Sequence, residues 1–289
     1  MVAHLFPGQG SQHRGMGGAL FDTVEQFVAA ESEIDALFGY SVRDMCRDDP
    51  GEKLKNTRYT QPCLYVVNAL HYYDEIRNGH IPKYLAGHSL GEYNALLAAG
   101  VFDFLTGLRL VIKRGELMAK AKNGGMAAVV GLDSAQVAQV IADKGFSKLD
   151  VANFNSPQQV VISGPVKEIA RTEAAFVEAG ASMFVPLPVS AAFHSRYMRD
   201  AAAAFEAFLE PMSFAAPAIP VIANATARPY PVNDASGAVK TLLVRQISQS
   251  VQWVQGLQFL LAQGETEFKE IGPGTVLTRL VDQTRRATS

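Results

Sequence analysis

The segment from residue 84 to residue 99 constrains the fold of this chain most, because it passes from strand to helix through one tight turn. Tyr84 to Ala86 is a short apolar run, Gly87 to Gly91 reads GHSLG, and helical character resumes over Glu92 to Ala99. A serine held at such a turn needs small residues on both sides, and the helix that follows supplies backbone N–H groups for a developing negative charge. The pattern predicts a nucleophile elbow with Ser89 at its tip. A glycine-flanked turn in which Ser89 only caps the helix is the structural alternative.

The chain as a whole predicts two interleaved parts. Between residues 124 and 190 the apolar pattern follows the order βαββαβ, which is typical of a ferredoxin-like subdomain whose ends lie close together. We therefore expect an α/β fold in which residues 1–123 and 191–289 form an α/β-hydrolase-like large domain and residues 124–190 form an inserted ferredoxin-like small subdomain. At roughly 150 residues per domain, a chain of 289 residues is long enough for both parts.

Three further segments carry local patterns. Val2 to Phe6 and Val221 to Ala223 are short apolar runs that predict buried strands. Residues 60–79 have the apolar spacing of a helix, with Thr60 and Pro62 as start signals and a glycine at the end.

Composition and charge exclude several classes of function. Lys and Arg number 26 against 28 Asp and Glu, and the net charge of −2 argues against nucleic acid or an anionic membrane surface as the main partner. No apolar run approaches the ~20 residues of a membrane-spanning helix, and the N-terminal residues lack the features of a signal peptide. Cys46 and Cys63 give no disulfide framework and are expected to be buried. We expect a cytoplasmic protein with no nucleic-acid or membrane partner.

A serine nucleophile needs a base, because its own pKa leaves it unreactive. Of the six histidines, His88 precedes Ser89 in the turn, and its side chain would point away from that of the serine. His194 follows the expected insertion, at the point where the chain re-enters the large domain and where clefts usually form. His194 is therefore the better candidate for the base. A capping or core histidine is the structural alternative.

Two more features could belong to a cleft. Arg114 lies on a helix with an apolar face; it is either solvated or, if it faces the cleft, placed to clamp a carboxylate. The segment Gly8 to Gln12 fails as a dinucleotide fingerprint, because His13 stands at the third glycine position. Its glycines would instead let backbone N–H groups approach a reacting carbonyl. No pair of His, Cys or carboxylate residues has metal-ligand spacing, so no metal site is expected.

Six blocks in this order resemble the malonyl-CoA:acyl carrier protein transacylases, and the resemblance covers essentially the whole chain. The blocks are Pro7 to Gln12, Gly87 to Tyr93, Arg114 to Met118, Asn153 to Gly164, Phe193 to Ser195, and Gln246 with Val251 to Trp253. Residues 94–104 and 190–195 look most like the free-standing acyltransferases that serve polyketide synthases lacking their own acyltransferase domains. The enzyme of fatty acid synthesis is the close alternative.

The resemblance implies a catalytic assignment. Ser89 would take the malonyl group as an ester, and His194 would act as its base and later as the acid. The backbone N–H groups of Gln9 and Leu90 would form the oxyanion hole. The backbone carbonyl of Gln246 would orient His194. This fits the sequence, because no Asp or Glu stands out as a candidate for the third member of a catalytic triad.

The resemblance also implies the substrates. Arg114 would pair with the malonyl carboxylate, Phe193 matches the malonyl-type signature, and His88 would contribute to substrate binding. The expected partners are malonyl-CoA and an acyl carrier protein, and no cofactor is needed because thioester and ester are near in energy. A monomer would suffice, since both flanks of the cleft come from one chain.

Three other functions compete with malonyl transfer. An acyl hydrolase that clears acyl groups from carrier proteins would share the elbow and the base, but would have no use for a fixed carboxylate partner such as Arg114. A non-catalytic docking module would need a decayed site, whereas Ser89, His194 and Arg114 are intact. A nucleotide-binding oxidoreductase rests only on the N-terminal glycines. A basic stretch is either a solvated helix face or a surface for an acidic carrier; it consists of Lys113, Arg114, Lys120 and Lys122.

Overall fold

A computed structural model describes residues 2–288 and places them around two four-stranded sheets. The first sheet is parallel, with the strand order β7-β2-β1-β8. Its strands are β1 (Val2–Phe6), β2 (Tyr84–Gly87), β7 (Val221–Ile222) and β8 (Glu267–Glu270). The helices of this part are α1 (Leu20–Thr23), α2 (Glu25–Phe38), α3 (Val42–Asp48), α4 (Thr57–Arg77), α5 (Gly91–Ala98), α6 (Phe104–Lys120), α9 (Arg199–Leu209), α10 (Ala235–Ser248), α11 (Trp253–Ala262) and α12 (Val276–Thr288).

The second sheet is antiparallel and lies within residues 124–190. Its strand order is β4-β5-β3-β6, and two helices connect the strands in the sequence βαββαβ. The elements are β3 (Gly124–Val130), α7 (Ser134–Asp143), β4 (Asp150–Ser156), β5 (Gln159–Pro165), α8 (Val166–Glu178) and β6 (Met183–Pro186). Helix α7 begins with a reciprocal capping box between Asp133 and Gln136, so its start is fixed by local hydrogen bonds. The order of elements predicted for this segment is confirmed.

The helix predicted over residues 60–79 begins earlier than its sequence signals indicate. Helix α4 runs from Thr57 to Arg77, and the side chain of Asn56 caps it by accepting the N–H of Arg58 at 3.0 Å. Pro62 therefore lies inside the helix and is not a start signal. The prediction was wrong here because an asparagine cap satisfies the free N–H groups of the first turn.

The parallel sheet determines where polar groups can meet. Because β1 and β2 are parallel and Phe6 is paired with Gly87, the loops that follow both strands leave the sheet at the same edge. Strand β7 is parallel to β2 and ends at the same edge, one residue before Ala223. Helix α5, which starts from this edge, is buried from Gly91 to Leu97 and packs in the core of the molecule. Any side chain at the turn between β2 and α5 is thus held between packed elements.

The two sheets are joined at several points. The chain enters and leaves residues 124–190 side by side, since Gly124 N–H donates to the carbonyl of Ser190 at 3.2 Å. Val251, in the loop between α10 and α11, donates its N–H to Ala152 and accepts from Phe154, at 2.8 and 3.0 Å. These bonds extend the edge of the antiparallel sheet into the other part of the molecule.

Two observations complete the description of residues 2–288. Cys46 and Cys63 are both free thiols with no exposed surface, as their sequence context predicts. Within the same residues, every helix is too short or too polar to cross a membrane.

Candidate active site

Ser89 stands at the turn between β2 and α5 in a conformation that side chains rarely adopt. Its φ is 51°, in the left-handed region. The turn is tight: a Cβ added to Gly87 would lie 1.9 Å from the carbonyl carbon of Gly91, so only glycine fits there. The predicted nucleophile elbow is therefore present as a strand, a strained turn and a helix.

Asn224, in the loop after β7, holds this turn with two hydrogen bonds. Its Oδ1 accepts the N–H of Ser89 at 2.7 Å, and its Nδ2 donates to the carbonyl of Gly87 at 2.6 Å. The side chain is buried. Two hydrogen bonds of this kind offset the cost of a left-handed residue, which is about 1–3 kcal/mol. The sequence gives one indication of Asn224, which is a polar residue just beyond a predicted strand, and this alone does not predict its contact with Ser89.

His194 contacts the serine and a backbone carbonyl. The hydroxyl of Ser89 lies 2.8 Å from Nε2 of His194, and Nδ1 lies 2.7 Å from the carbonyl oxygen of Gln246. Because a carbonyl can only accept, Nδ1 carries the proton and Nε2 is left to accept from the hydroxyl. Burial, and then the charge of Arg114, lowers the pKa of His194 to about 3. The imidazole is neutral near pH 7 and is placed to take a proton from Ser89.

Arg114, on α6, faces the serine and not the solvent. Its side chain has no exposed surface, and Nη2 donates to Oγ of Ser89 at 3.0 Å and to Oε1 of Gln246 at 2.9 Å. Nε and Nη1 are buried and have no partner among residues 2–288, and no carboxylate in that range forms an ion pair with the guanidinium. A buried cation with unpaired donors is able to pair with an anion. The neighbouring Lys113, Lys120 and Lys122 are partly or fully exposed, so Arg114 does not belong to that basic surface.

The loop after β1 brings a second backbone segment against the turn. A Cβ on Gly8 would lie 2.4 Å from the carbonyl oxygen of His88 and 3.7 Å from the nitrogen of Leu90. The N–H groups of Gln9 and Leu90 donate to no atom within residues 2–288, although both residues line one cavity with Ser89. Two free backbone donors that share a cavity with a serine hydroxyl are able to stabilise a negative oxygen formed there.

The cavity has a volume of about 240 Å³ and lies between the two sheets. Ser89, His194 and Arg114 line it together with Gln9, Leu90, His88 and Phe193, so the structure brings the sequence-predicted side chains to one place. Gln246 reaches the same place through its hydrogen bonds to His194 and Arg114. The other wall is mixed. Its apolar side chains are Met126, Ala128, Val161, Leu187 and Val189, and its polar ones are Asn153, Asn155 and Gln159.

His88 differs from the other predicted residues. Its Nε2 lies 2.8 Å from Oδ1 of Asn155 and 3.3 Å from Nδ2 of Asn153, both on β4, and its ring packs at 5.3 Å from that of Trp253. The side chain therefore connects the turn to the antiparallel sheet. Substrate contact by His88 stays a prediction.

These groups define a class of enzyme. A serine with a neutral histidine, two free backbone donors and a buried arginine can accept an acyl group as an ester and hold an anionic end of that group. Residues 3–289 match the family described as acyl transferase domain, and the chain belongs to this family. Within residues 2–288, no group of three or more His, Cys, Asp and Glu could hold a metal ion.

Comparisons with individual proteins are more specific. The chain is 49% identical over 290 residues to the polyketide biosynthesis malonyl CoA-acyl carrier protein transacylase BaeC of Bacillus velezensis, covering 100% of this chain and 98% of that protein. The crystal structure of malonyl CoA-acyl carrier protein transacylase from Burkholderia pseudomallei superimposes with a TM-score of 0.94 at 49% identity, covering 100% and 99% of the two chains.

A third comparison includes a partner. A structure of a type II PKS acyl-carrier protein in complex with its malonyl-transacylase superimposes with a TM-score of 0.92 at 34% identity, over 99% of this chain and 93% of that chain. The resemblance inferred from the six sequence blocks is confirmed by these comparisons.

Proposed function

We propose that this chain transfers a malonyl group from malonyl-CoA to the phosphopantetheine thiol of an acyl carrier protein, through an ester on Ser89. The observation that carries the proposal is Arg114, a fully buried guanidinium that donates to Oγ of Ser89 and keeps two further nitrogens unpaired. A malonyl group esterified to Ser89 carries a carboxylate within a few bonds of that oxygen. The names of the relatives, which are malonyl transacylases, support the same substrate.

The first half-reaction forms the ester. Ser89 Oγ attacks the thioester carbonyl of malonyl-CoA while Nε2 of His194 takes its proton, a transfer for which the 2.8 Å contact is suited. The negative oxygen of the tetrahedral intermediate accepts the N–H groups of Gln9 and Leu90. The intermediate collapses with loss of the coenzyme A thiolate, which receives the proton from His194.

The second half-reaction repeats these steps with the carrier thiol as nucleophile. His194 removes the thiol proton, the sulfur attacks the ester carbonyl, and the proton passes to Ser89 as the new thioester leaves. Each bond that forms replaces one that breaks, and no cofactor takes part. The sequence predicts ping-pong kinetics.

Arg114 and Phe193 determine the acyl group. An acyl chain without a carboxylate would leave the buried guanidinium unpaired. Removing one partner of a buried charge pair costs about 3–5 kcal/mol, and we expect a loss of binding energy of this size. Phe193 is 7% exposed and lines the cavity directly before His194. A bulky ring there narrows the space for a methyl branch, and one methyl group is worth about 1–3 kcal/mol of discrimination. Acetyl-CoA and methylmalonyl-CoA are poor substrates for these two reasons.

We also propose the domain description that the sequence predicts. The order β4-β5-β3-β6 with its two connecting helices supports a ferredoxin-like small subdomain over residues 124–190. The parallel sheet with its nucleophile elbow supports an α/β-hydrolase-like large domain over residues 1–123 and 191–289. All proposed catalytic groups come from one chain, so a monomer suffices. The relatives point to polyketide biosynthesis, with fatty acid synthesis as the other pathway that uses this reaction.

Intact-protein mass spectrometry after brief mixing with malonyl-CoA or acetyl-CoA tests the proposal. Wild type should gain a malonyl group, Ser89→Ala should gain none, and addition of a holo acyl carrier protein should move the group to the carrier. Rapid release of free coenzyme A without a lasting adduct and without a carrier would assign the chain to acyl hydrolysis instead. Equal labelling by acetyl-CoA would contradict the role of Arg114.

A further inference from the structure

A buried carboxylate lies beside the site with no role in the steps above. Glu92 is in the first turn of α5, three residues after Ser89, and has no exposed surface. No lysine or arginine of the described residues forms an ion pair with it. An unpaired buried carboxylate costs several kcal/mol unless hydrogen bonds replace its water. Its partners therefore indicate what it does.

Three donors surround the carboxylate. Oε1 accepts the hydroxyl of Tyr230 at 2.6 Å and the backbone N–H of Asn224 at 3.2 Å, and Oε2 accepts Nε2 of Gln246 at 2.5 Å. Burial raises the pKa of Glu92 to about 7, while these donors act in the opposite direction. Two of the three partners, Asn224 and Gln246, are residues that hold the serine turn or the histidine.

Gln246 connects the Glu92 carboxylate to the site through hydrogen bonds. Its Nε2 donates to Glu92 and also to the backbone carbonyl of Ser89 at 2.7 Å, and its Oε1 accepts from Arg114. A side-chain amide can turn by 180° and exchange its oxygen and nitrogen, so its orientation depends on its neighbours. Glu92 as a carboxylate and the Ser89 carbonyl can only accept, and together they fix the amide with its oxygen facing Arg114.

Arg114 depends on that oxygen. Ser89 Oγ and Gln246 Oε1 are the two acceptors of Nη2, and the guanidinium carbon also lies 5.5 Å from the ring centre of Tyr93. Oγ changes from hydroxyl to ester during the reaction, whereas Oε1 is present throughout. If the Gln246 amide turned, an NH₂ group would face the guanidinium, donor against donor.

We propose that Glu92 is a positioning residue that acts through the side-chain amide of Gln246 to align Arg114 with the malonyl carboxylate. This inference rests on the proposed function, because it assigns Arg114 to that carboxylate. Glu92 touches neither substrate nor reacting atoms.

The isosteric change Glu92→Gln tests this. The introduced amide has one oxygen for three donors; the Asn224 N–H cannot turn, so the oxygen stays on that side and the NH₂ group faces Gln246. Two NH₂ groups then face each other, and the Gln246 side chain must either move away or turn against the Ser89 carbonyl. In both cases its bond to Arg114 is weakened. We expect the ratio of kcat/KM for malonyl-CoA to kcat/KM for acetyl-CoA to fall by about tenfold or more, the magnitude of a lost charge-assisted hydrogen bond. KM for malonyl-CoA should rise more than kcat falls.

Tyr230→Phe is the matched control. It removes one donor to the same buried carboxylate but leaves the bond between Glu92 and Gln246 in place. It should lower the melting temperature and leave the malonyl-to-acetyl ratio within about threefold of wild type, a change below 1.4 kcal/mol. If both variants lower the ratio in proportion to their loss of stability, or if Glu92→Gln lowers malonyl and acetyl transfer equally, Glu92 is only a structural residue and the proposal fails.

A second variant covers the case in which Glu92→Gln does not fold. Gln246→Asn keeps the backbone carbonyl for His194, but its shorter amide cannot reach both Glu92 and Arg114. It should lower the ratio as Glu92→Gln does, and an unchanged ratio would overturn the proposal. Failure of the proposed function has a different signature, since wild type itself would then gain no malonyl adduct on Ser89.

Discussion

The two walls of the cavity are built differently. The wall from the parallel sheet carries the hydroxyl, the guanidinium and the free N–H groups, and a dense set of hydrogen bonds holds them, from Asn224 to the serine turn and from Gln246 to His194. The wall from the antiparallel sheet contributes apolar side chains such as Met126 and Val161, together with the amide side chains of Asn153, Asn155 and Gln159. The proposed reacting groups therefore lie on the first wall, and the second wall mainly sets the shape of the cavity. Substitutions on the first wall should change rates, and substitutions on the second should change which acyl group fits.

Loss of the nucleophile should give the largest effect. Ser89→Ala removes the atom that forms the ester, so the covalent adduct should disappear and transfer should fall by about 10⁴-fold or more. Mass spectrometry and a carrier-acylation assay measure both. Thr172→Val, on α8 where the buried hydroxyl bonds to the Ile169 carbonyl away from the cavity, is the control for loss of a buried hydroxyl. A malonyl adduct that persisted in Ser89→Ala would place the ester on another residue.

Arg114→Ala should have the second largest effect on malonyl transfer. Malonyl transfer should fall by about 10²- to 10³-fold, as expected from the loss of one partner of a buried charge pair, and acetyl transfer should rise. Lys113→Ala, one position along the same helix and partly exposed, controls for loss of a positive charge. Equal losses for malonyl-CoA and acetyl-CoA would show that the arginine supports the fold alone.

The same variant should alter the pH dependence of the first wall. Burial and then the charge of Arg114 keep the pKa of His194 low, at about 3, so the histidine is neutral and active as a base above that pH. Removing the guanidinium removes one lowering cause, so the pKa should rise and the acidic limb of the rate profile should move to higher pH. The rate of labelling of Ser89 by a neutral phosphonate measures this without the malonyl carboxylate. A limb that stayed in place, or moved to lower pH, would contradict the assignment.

Asn224→Ala should have an intermediate effect. Without its two bonds the left-handed turn loses its support, so kcat should fall by about tenfold to a hundredfold, equivalent to about 1.4–3 kcal/mol. The melting temperature should fall as well. Thr226→Ala, exposed on the same loop, serves as the control and should leave both unchanged. A variant with wild-type kcat would show that the turn is held by packing alone.

The second wall should give the smallest change. Val161→Ala enlarges the cavity by a few atoms, so the ratio of methylmalonyl to malonyl labelling should rise by about threefold to tenfold, the worth of a partial methyl contact. Malonyl transfer itself should change little. Ile162→Val, adjacent on β5 but in the core behind the sheet, loses comparable stability without touching the cavity, and its labelling ratio should match wild type. An unchanged ratio in Val161→Ala would place the acyl group elsewhere.

The sequence predicts features that depend on neighbouring residues better than contacts between distant ones. The elbow and the βαββαβ order depend on local periodicity and turn chemistry, and both are present in the structure. Asn224 is 135 residues from Ser89 in sequence, and no local pattern indicates that their side chain and backbone meet. For Arg114, helical periodicity left a solvated and a cleft-facing position open, because the choice depends on which elements pack against α6. The family resemblance predicts the cleft-facing position.

The hydrogen bonds between Val251 and β4 make the relative motion of the two sheets measurable by amide hydrogen exchange. The N–H of Val251 bonds to Ala152, and the N–H of Phe154 bonds back to Val251, so both amides are protected only while the two sheets are in contact. Amide hydrogens exchange with solvent when the structure that protects them opens. The exchange rates of these two amides, compared with those inside β3 and β5, therefore report how often the cavity opens between its walls.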